Sequence, residues 1–246
     1  MTIVTGCASM KIPYYYTEII LDVVAFFWLW FVLTNSNANL GNVYLWAAAI
    51  SIILFFINKF IFNKQVQVTY QKKAGGTFEA ILAGAVGWVI LLAASFFILK
   101  FVDPTKSTLG AIIGTMNAAN PAFSNSVTIN WLTVSLAIGY TETMLFSRGM
   151  EFLSDIFGIP INKKSKYLFA FLIMIFLLAI GFSIYHSTAK GVENLPSLVV
   201  VAIMMFISLI MVAHFDGETR QSVWLHWIAN GVAGALLIMA GGLVFT

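Results

Sequence analysis

Stretches of about twenty mostly apolar residues recur along this chain, each the length a helix needs to cross the hydrocarbon core of a bilayer. Seven occur, at roughly 17–33, 43–62, 78–101, 128–150, 167–186, 196–214 and 222–245. Apolar and polar residues do not alternate with period two, which argues against a β-barrel. Helices, by contrast, satisfy their own backbone hydrogen bonds in lipid. Hydrophobic residues make up 60% of the 246 positions and charged residues 9%, whereas a soluble domain carries about 25% charged residues. These proportions exclude a soluble globule, a nucleic-acid-binding protein and a disordered tail. The expected fold is an all-α polytopic membrane helix bundle of about seven transmembrane helices.

The bundle reads as a single integral membrane domain over 1–246. Within it, 1–77 is an N-terminal helical hairpin and loop, and 78–246 is a helical unit. The connecting loop 63–77, with Lys72-Lys73 and Gly75-Gly76, reads as a hinge between the two. Basic residues collect on the cytoplasmic side of membrane proteins. With seven spans, Lys11, Lys59, Lys64, Lys72, Lys73, Arg148, Lys163, Lys164, Lys166 and Arg220 fall on one side, and Lys100, Lys106 and Lys190 on the other. That bias places the N-terminus in the cytoplasm and the C-terminus outside a plasma- or inner-type cell membrane. The segment 102–127 then lies outside, its small residues at 109–119 forming a short interfacial or re-entrant helix. The opening residues lack the order of a cleaved signal peptide, and a lone cysteine, Cys7, excludes an internal disulfide.

Ionisable groups inside spans cost about 2.5–3.5 kcal/mol each and are functional candidates by default. Glu142 sits some fourteen residues into its span, and all three histidines, His186, His214 and His226, lie within or at the ends of spans. Glu142 reads equally as a protonated carboxyl bonded to a neighbouring helix or as a general base. Arg148 precedes Glu151 by three residues and Asp155 by seven, so an ion-pair ladder on one helical face accounts for it without function. Glu18 and Asp22 fall in the first turns of the first span, where an interfacial position and the helix N-terminus tolerate carboxylates. His214, next to Phe215-Asp216-Gly217, fits an interfacial hydrogen-bonder. His226 and Asn230 are four apart and point the same way from one helix, and Phe182 and His186 repeat that spacing.

Three motifs occur in order: Glu142-Thr-Met-Leu-Phe-Ser-Arg148, Phe182-Ser-Ile-Tyr-His186 and His226-Trp-Ile-Ala-Asn230. Together they resemble the CAAX protease and bacteriocin-processing family of intramembrane proteases (CPBP, or Abi), over roughly residues 128–235. That family carries Glu-Glu-x-x-x-Arg, Phe-x-x-x-His and His-x-x-x-Asn on separate membrane helices. Here Thr143 stands where the family has its second Glu, and Arg148 follows Glu142 by six residues instead of five. Matching on Phe146 leaves Ser147 as the extra residue.

The resemblance implies a metal-independent glutamate-type peptidase. Glu142 and His186 would activate water and His226 and Asn230 would stabilise the oxyanion, with Thr143, Phe146, Arg148 and Phe182 in support. The implied substrate is a peptide or lipidated (prenylated) protein, met among membrane lipid, and no cofactor is implied. Zinc is the alternative, with Glu142, His186, His214 and His226 as ligands, although no His-Glu-x-x-His occurs. Trp224, Trp227 and Tyr185 line a prenyl-accepting groove or belong to an interfacial aromatic belt. For the four central residues to meet, the helix ending at His186 must begin outside the membrane or dip inward. Two other functions remain open: a degenerate CPBP-like subunit for immunity, scaffolding or assembly in a membrane complex, and a small transporter or channel subunit. The latter class favours internal repeats, and none is visible.

Overall fold

The apolar stretches form helices in the computed structural model, which describes residues 14–36, 38–62, 76–118, 130–159, 167–215 and 219–232. Helix α1 is Tyr14–Ser36 and α2 is Ala38–Phe56, which runs on into a wider π-helical turn, Ile57–Ile61. Helix α3 is Thr77–Val102, and after a 3₁₀ turn at Pro104–Lys106 the short α4 is Leu109–Ala118. The longest helix is α5, Asn130–Phe157; α6 is Leu168–Lys190 and α7 is Leu195–His214. Helix α8, Arg220–Trp227, continues as a second π-helical turn, Ile228–Val232. No strand occurs among the described residues. Residues 63–75 of the expected loop 63–77, the end of the 102–127 segment and the last part of the seventh span lie outside the described residues, as does Cys7.

Four helical segments are long and apolar enough to cross a membrane: Gly41–Ile61, Thr77–Val102, Leu168–Lys190 and Leu195–His214. Their outward residues are large and apolar, among them Trp46, Phe60, Phe78, Phe97, Phe169 and Phe176, all exposed. Such an exterior suits lipid, and the chain is a membrane helix bundle. Helix α5 is different in character. It carries Ser, Thr, Glu and Arg side chains along its length, yet Ser135, Thr141, Glu142, Thr143, Ser147, Arg148 and Ser154 are all buried. The reason is its position: α5 packs against α1, α2, α6, α7 and α8, so its polar side chains meet protein from several directions.

Where helices end, identifiable residues end them. Gly158 (φ 61°) follows α5 and Gly191 (φ 70°) follows α6, both in the left-handed region that glycine adopts without a Cβ penalty. The N–H groups of Gly191 and Val192 return to the carbonyl of His186, closing the last turn of α6. At the start of α7, Asn194 accepts the Ser197 N–H at 2.8 Å, with Pro196 in the first turn. Helix α5 outruns its expected end at 150 and reaches Phe157, because charged residues such as Glu151 and Asp155 end an apolar run without ending a helix.

A large apolar core of α3, α6, α7 and α8 centres on residues such as Leu91, Ile175, Met205 and Leu225, all fully buried. A smaller one joins α1 and α2 to α5 through Leu29, Tyr44 and Ile138. The polar interior lies on α5, where both cores adjoin it.

Candidate functional site: a buried Glu–Lys–His cluster

Glu142, His186 and His226 are each 0% exposed, on α5, α6 and α8 respectively. The carboxylate interacts electrostatically with both histidines, so one residue from each of the three motifs meets the others. Helix α6 runs four residues past His186 to Lys190, so the histidine lies a full turn inside the end of the helix.

Glu142 Oε1 accepts the Tyr44 hydroxyl of α2 at 3.0 Å and is ion-paired with Lys190. Its Oε2 is buried and has no hydrogen-bond partner among the described residues. Lys190 Nζ also donates to His186 Nε2 at 2.9 Å. The other ring nitrogen, Nδ1, lies 3.0 Å from the carbonyl of Phe182, which can only accept, so Nδ1 carries the proton. The ammonium is bracketed by the rings of Tyr44 at 5.2 Å and Tyr185 at 5.5 Å.

Neither Lys190 nor Tyr44 stands out in the sequence. Lys190 extends the Phe182, His186 spacing by one more interval of four on the same helical face, which is the one trace of it in the sequence. Its place just after a span makes it look like a loop cation; it is in fact a buried side chain and does not belong to the outside tally. Arg148, also buried, leaves the opposite tally. Tyr44 lies 98 positions from the carboxylate it serves, and nothing local marks it.

His226 is held through Nδ1, 3.0 Å from Thr143 Oγ1 and 3.3 Å from the carbonyl of Ser222. The Ser222 carbonyl pairs only with a protonated Nδ1, whereas the Thr143 hydroxyl can accept from Nδ1 or donate to it; a donating threonine puts the proton on Nε2. That Nε2 is buried and without a partner among the described residues. Thr143 thus sits directly on the third-motif histidine. Asn230 is buried one turn further on, within the π-helical turn.

Phe182 is the aromatic centre of the cluster. Its ring meets those of Phe146 at 4.9 Å, His186 at 4.3 Å and His226 at 6.0 Å, all near edge-on. Tyr185 packs against Phe182 and His186 and interacts with Tyr44 and Glu142, so it faces the cluster instead of an interface. Trp224 and Trp227 pack edge to face at 5.2 Å, and the Trp227 indole donates to the Leu132 carbonyl at 2.9 Å.

Arg148 belongs to a second polar cluster. Its guanidinium binds Asp22 Oδ2 of α1 at 2.5 Å and Ser51 Oγ of α2 at 2.6 Å, and lies over Phe55 at 5.1 Å. Asn58 donates to the Arg148 carbonyl at 3.1 Å and to Glu151 at 3.5 Å. The expected interfacial position of Asp22 is therefore corrected: this carboxylate is 3% exposed and paired across helices, because α1 lays that face on α5. The Glu18 side chain lies outside the described residues. His214 is exposed at the end of α7 with its ring against Phe215, apart from the buried cluster. Among the described residues no three of His, Cys, Asp and Glu are gathered to hold a metal ion.

No family model, no curated protein and no solved structure matches this chain.

Proposed function

We propose that the chain is an intramembrane endopeptidase of the CPBP type, hydrolysing a peptide bond of a membrane-associated substrate without a metal. The observation that carries this reading is the pair of buried, unpartnered atoms, Glu142 Oε2 and His226 Nε2, in one polar interior. Each is costly when left unsatisfied. A water on the carboxylate oxygen and a peptide carbonyl oxygen on the imidazole N–H would satisfy both.

Glu142 Oε2 takes a proton from water as the water oxygen adds to the peptide carbonyl. His226 and Asn230 donate to the resulting oxyanion, with Thr143 holding His226 in the tautomer that donates. On collapse the carbon–nitrogen bond breaks and the proton passes to the leaving amine. The substrate is a peptide or a lipidated tail, and all seven spans cross the membrane with the N-terminus in the cytoplasm.

A second reading, a degenerate and non-hydrolysing subunit of a membrane complex, is favoured by one observation: Lys190 engages both Glu142 Oε1 and His186 Nε2. Cleavage of a mixed library of peptides and prenylated peptides by the purified protein separates the two. Endopeptidase activity falling by about 10²–10⁴-fold in Glu142→Gln and in His226→Ala, and indifferent to a chelator, is expected. Wild-type protein that cuts nothing while it and both variants stay folded would establish the non-hydrolysing subunit.

A further inference from the structure

The polar interior holds a cation that none of the three motifs contains. Lys190 ends α6, its side chain 1% exposed, and reaches Glu142 on α5 and His186 one turn back on its own helix. A buried ammonium is expensive unless paired and hydrogen-bonded, and here both conditions are met. Its helix turn is fixed independently, since Gly191 in the left-handed conformation and the N–H of Val192 close the turn onto the His186 carbonyl. Tyr44 and Tyr185 wall the ammonium in.

We infer that Lys190 is a positioning residue of the site: a single ammonium that holds Glu142 as a carboxylate by one oxygen and orients His186 through Nε2. Three consequences follow from the geometry. Oε1 is committed to Lys190 and Tyr44, so Oε2 is the oxygen with a free lone pair. The Nε2 lone pair of His186 is committed to the ammonium, so this imidazole acts through Lys190 and does not touch water while the bond stands. The carboxylate and the His186 ring are also tied to one another by a bridge between α5 and α6, which fixes their relative depth.

The consequence for catalysis rests on the endopeptidase reading, whereas the bridge itself does not, and the test separates them. Infrared difference spectra of the purified protein in lipid nanodiscs, with Glu142→Gln identifying the band of that carboxyl, report its protonation without any substrate. In wild type and in Lys190→Arg the Glu142 band is that of a carboxylate. In Lys190→Met it moves to the carbonyl stretch of a protonated acid, because a carboxyl buried without a counter-charge takes up a proton. A carboxylate band that survives in Lys190→Met overturns the inference.

If Lys190→Met does not fold, the double variant Lys190→Met/Glu142→Gln decides. Removing both charges restores folding when the lysine's role is to pair with Glu142, and a double variant that remains unfolded overturns the inference. In the cleavage assay, kcat falls by about 10²–10⁴-fold in Lys190→Met with KM little changed, and Lys190→Arg recovers part of the loss. Spectra that behave as described in a protein that cleaves nothing would leave the positioning role standing and remove the endopeptidase reading.

Discussion

At the scale of single residues, His226 of α8 depends on a hydroxyl of α5. A glutamate at position 143 would bring a second negative charge beside Glu142, whereas Thr143 supplies one neutral hydroxyl to His226 Nδ1. Thr143→Val removes that donor and leaves the Ser222 carbonyl as the nearest partner of Nδ1, which draws the proton off Nε2. We expect kcat to fall about 10-fold, the equivalent of one hydrogen bond, with Thr143→Ser close to wild type. Nitrogen NMR shifts of His226 would report the change of tautomer directly, and an unchanged tautomer in Thr143→Val would refute the assignment.

The sequence makes this scale legible to different degrees. Glu142, His186 and His226 stand out because ionisable groups in apolar runs are rare. Lys190 escapes notice because a lysine after a span is ordinarily solvated, and burial depends on partners contributed by α2 and α5. Tyr44 and Asp22 are hidden for the same reason, since an inter-helix bond has no spacing rule.

At the scale of elements, α8 is gripped between α3 and α5 at two glycines. A Cβ on Gly139 of α5 would lie 2.7 Å from the His226 Cβ, and one on Gly84 of α3 would lie 2.6 Å from the Trp224 Cβ and 2.9 Å from the Leu225 backbone nitrogen. Either contact is too close for a packed pair of helices, so alanine must push α8 outward. Gly139→Ala should cost about 1–3 kcal/mol of stability and, by moving His226, a larger share of activity. Gly181 on α6 is the control, because a Cβ there meets nothing within 4 Å; Gly181→Ala should be neutral or stabilising by about 0.5–1 kcal/mol. Equal losses from both substitutions would show that the glycines act on helix propensity and not on close approach.

Helix positions were the most legible part of the fold. Apolar length alone places spans at 78–101 and 196–214, against 77–102 for α3 and 195–214 for α7 in the structure. It fails at α5, where polar residues shorten the apparent run, and at the π-helical turns, where the local backbone changes without a change in hydrophobicity.

At the scale of the whole molecule, the N-terminal hairpin is anchored to the centre of the bundle by polar bonds as well as by the small core. The Arg148 guanidinium ties α5 to Asp22 on α1 and to Ser51 on α2, with neither charged side chain more than 5% exposed. Arg148→Met strands the Asp22 carboxylate and should cost about 3–5 kcal/mol, read as a lower midpoint in a denaturant titration of the protein in micelles. Replacing Asp22 with Leu in the same chain should return much of that loss. A double variant no more stable than Arg148→Met would show that the pair is not what holds the hairpin.

The exterior of the bundle carries a further implication. Glu142, His186 and His226 are buried, and the surface of the bundle presents phenylalanine, tryptophan, isoleucine and leucine. On the proposed endopeptidase reading, a substrate arriving through that surface is dissolved in the bilayer, so the concentration the site encounters is its mole fraction among lipids. Adding inert lipid or detergent at a fixed amount of protein and peptide should therefore slow cleavage by surface dilution, while changing the aqueous volume should leave the rate unaltered.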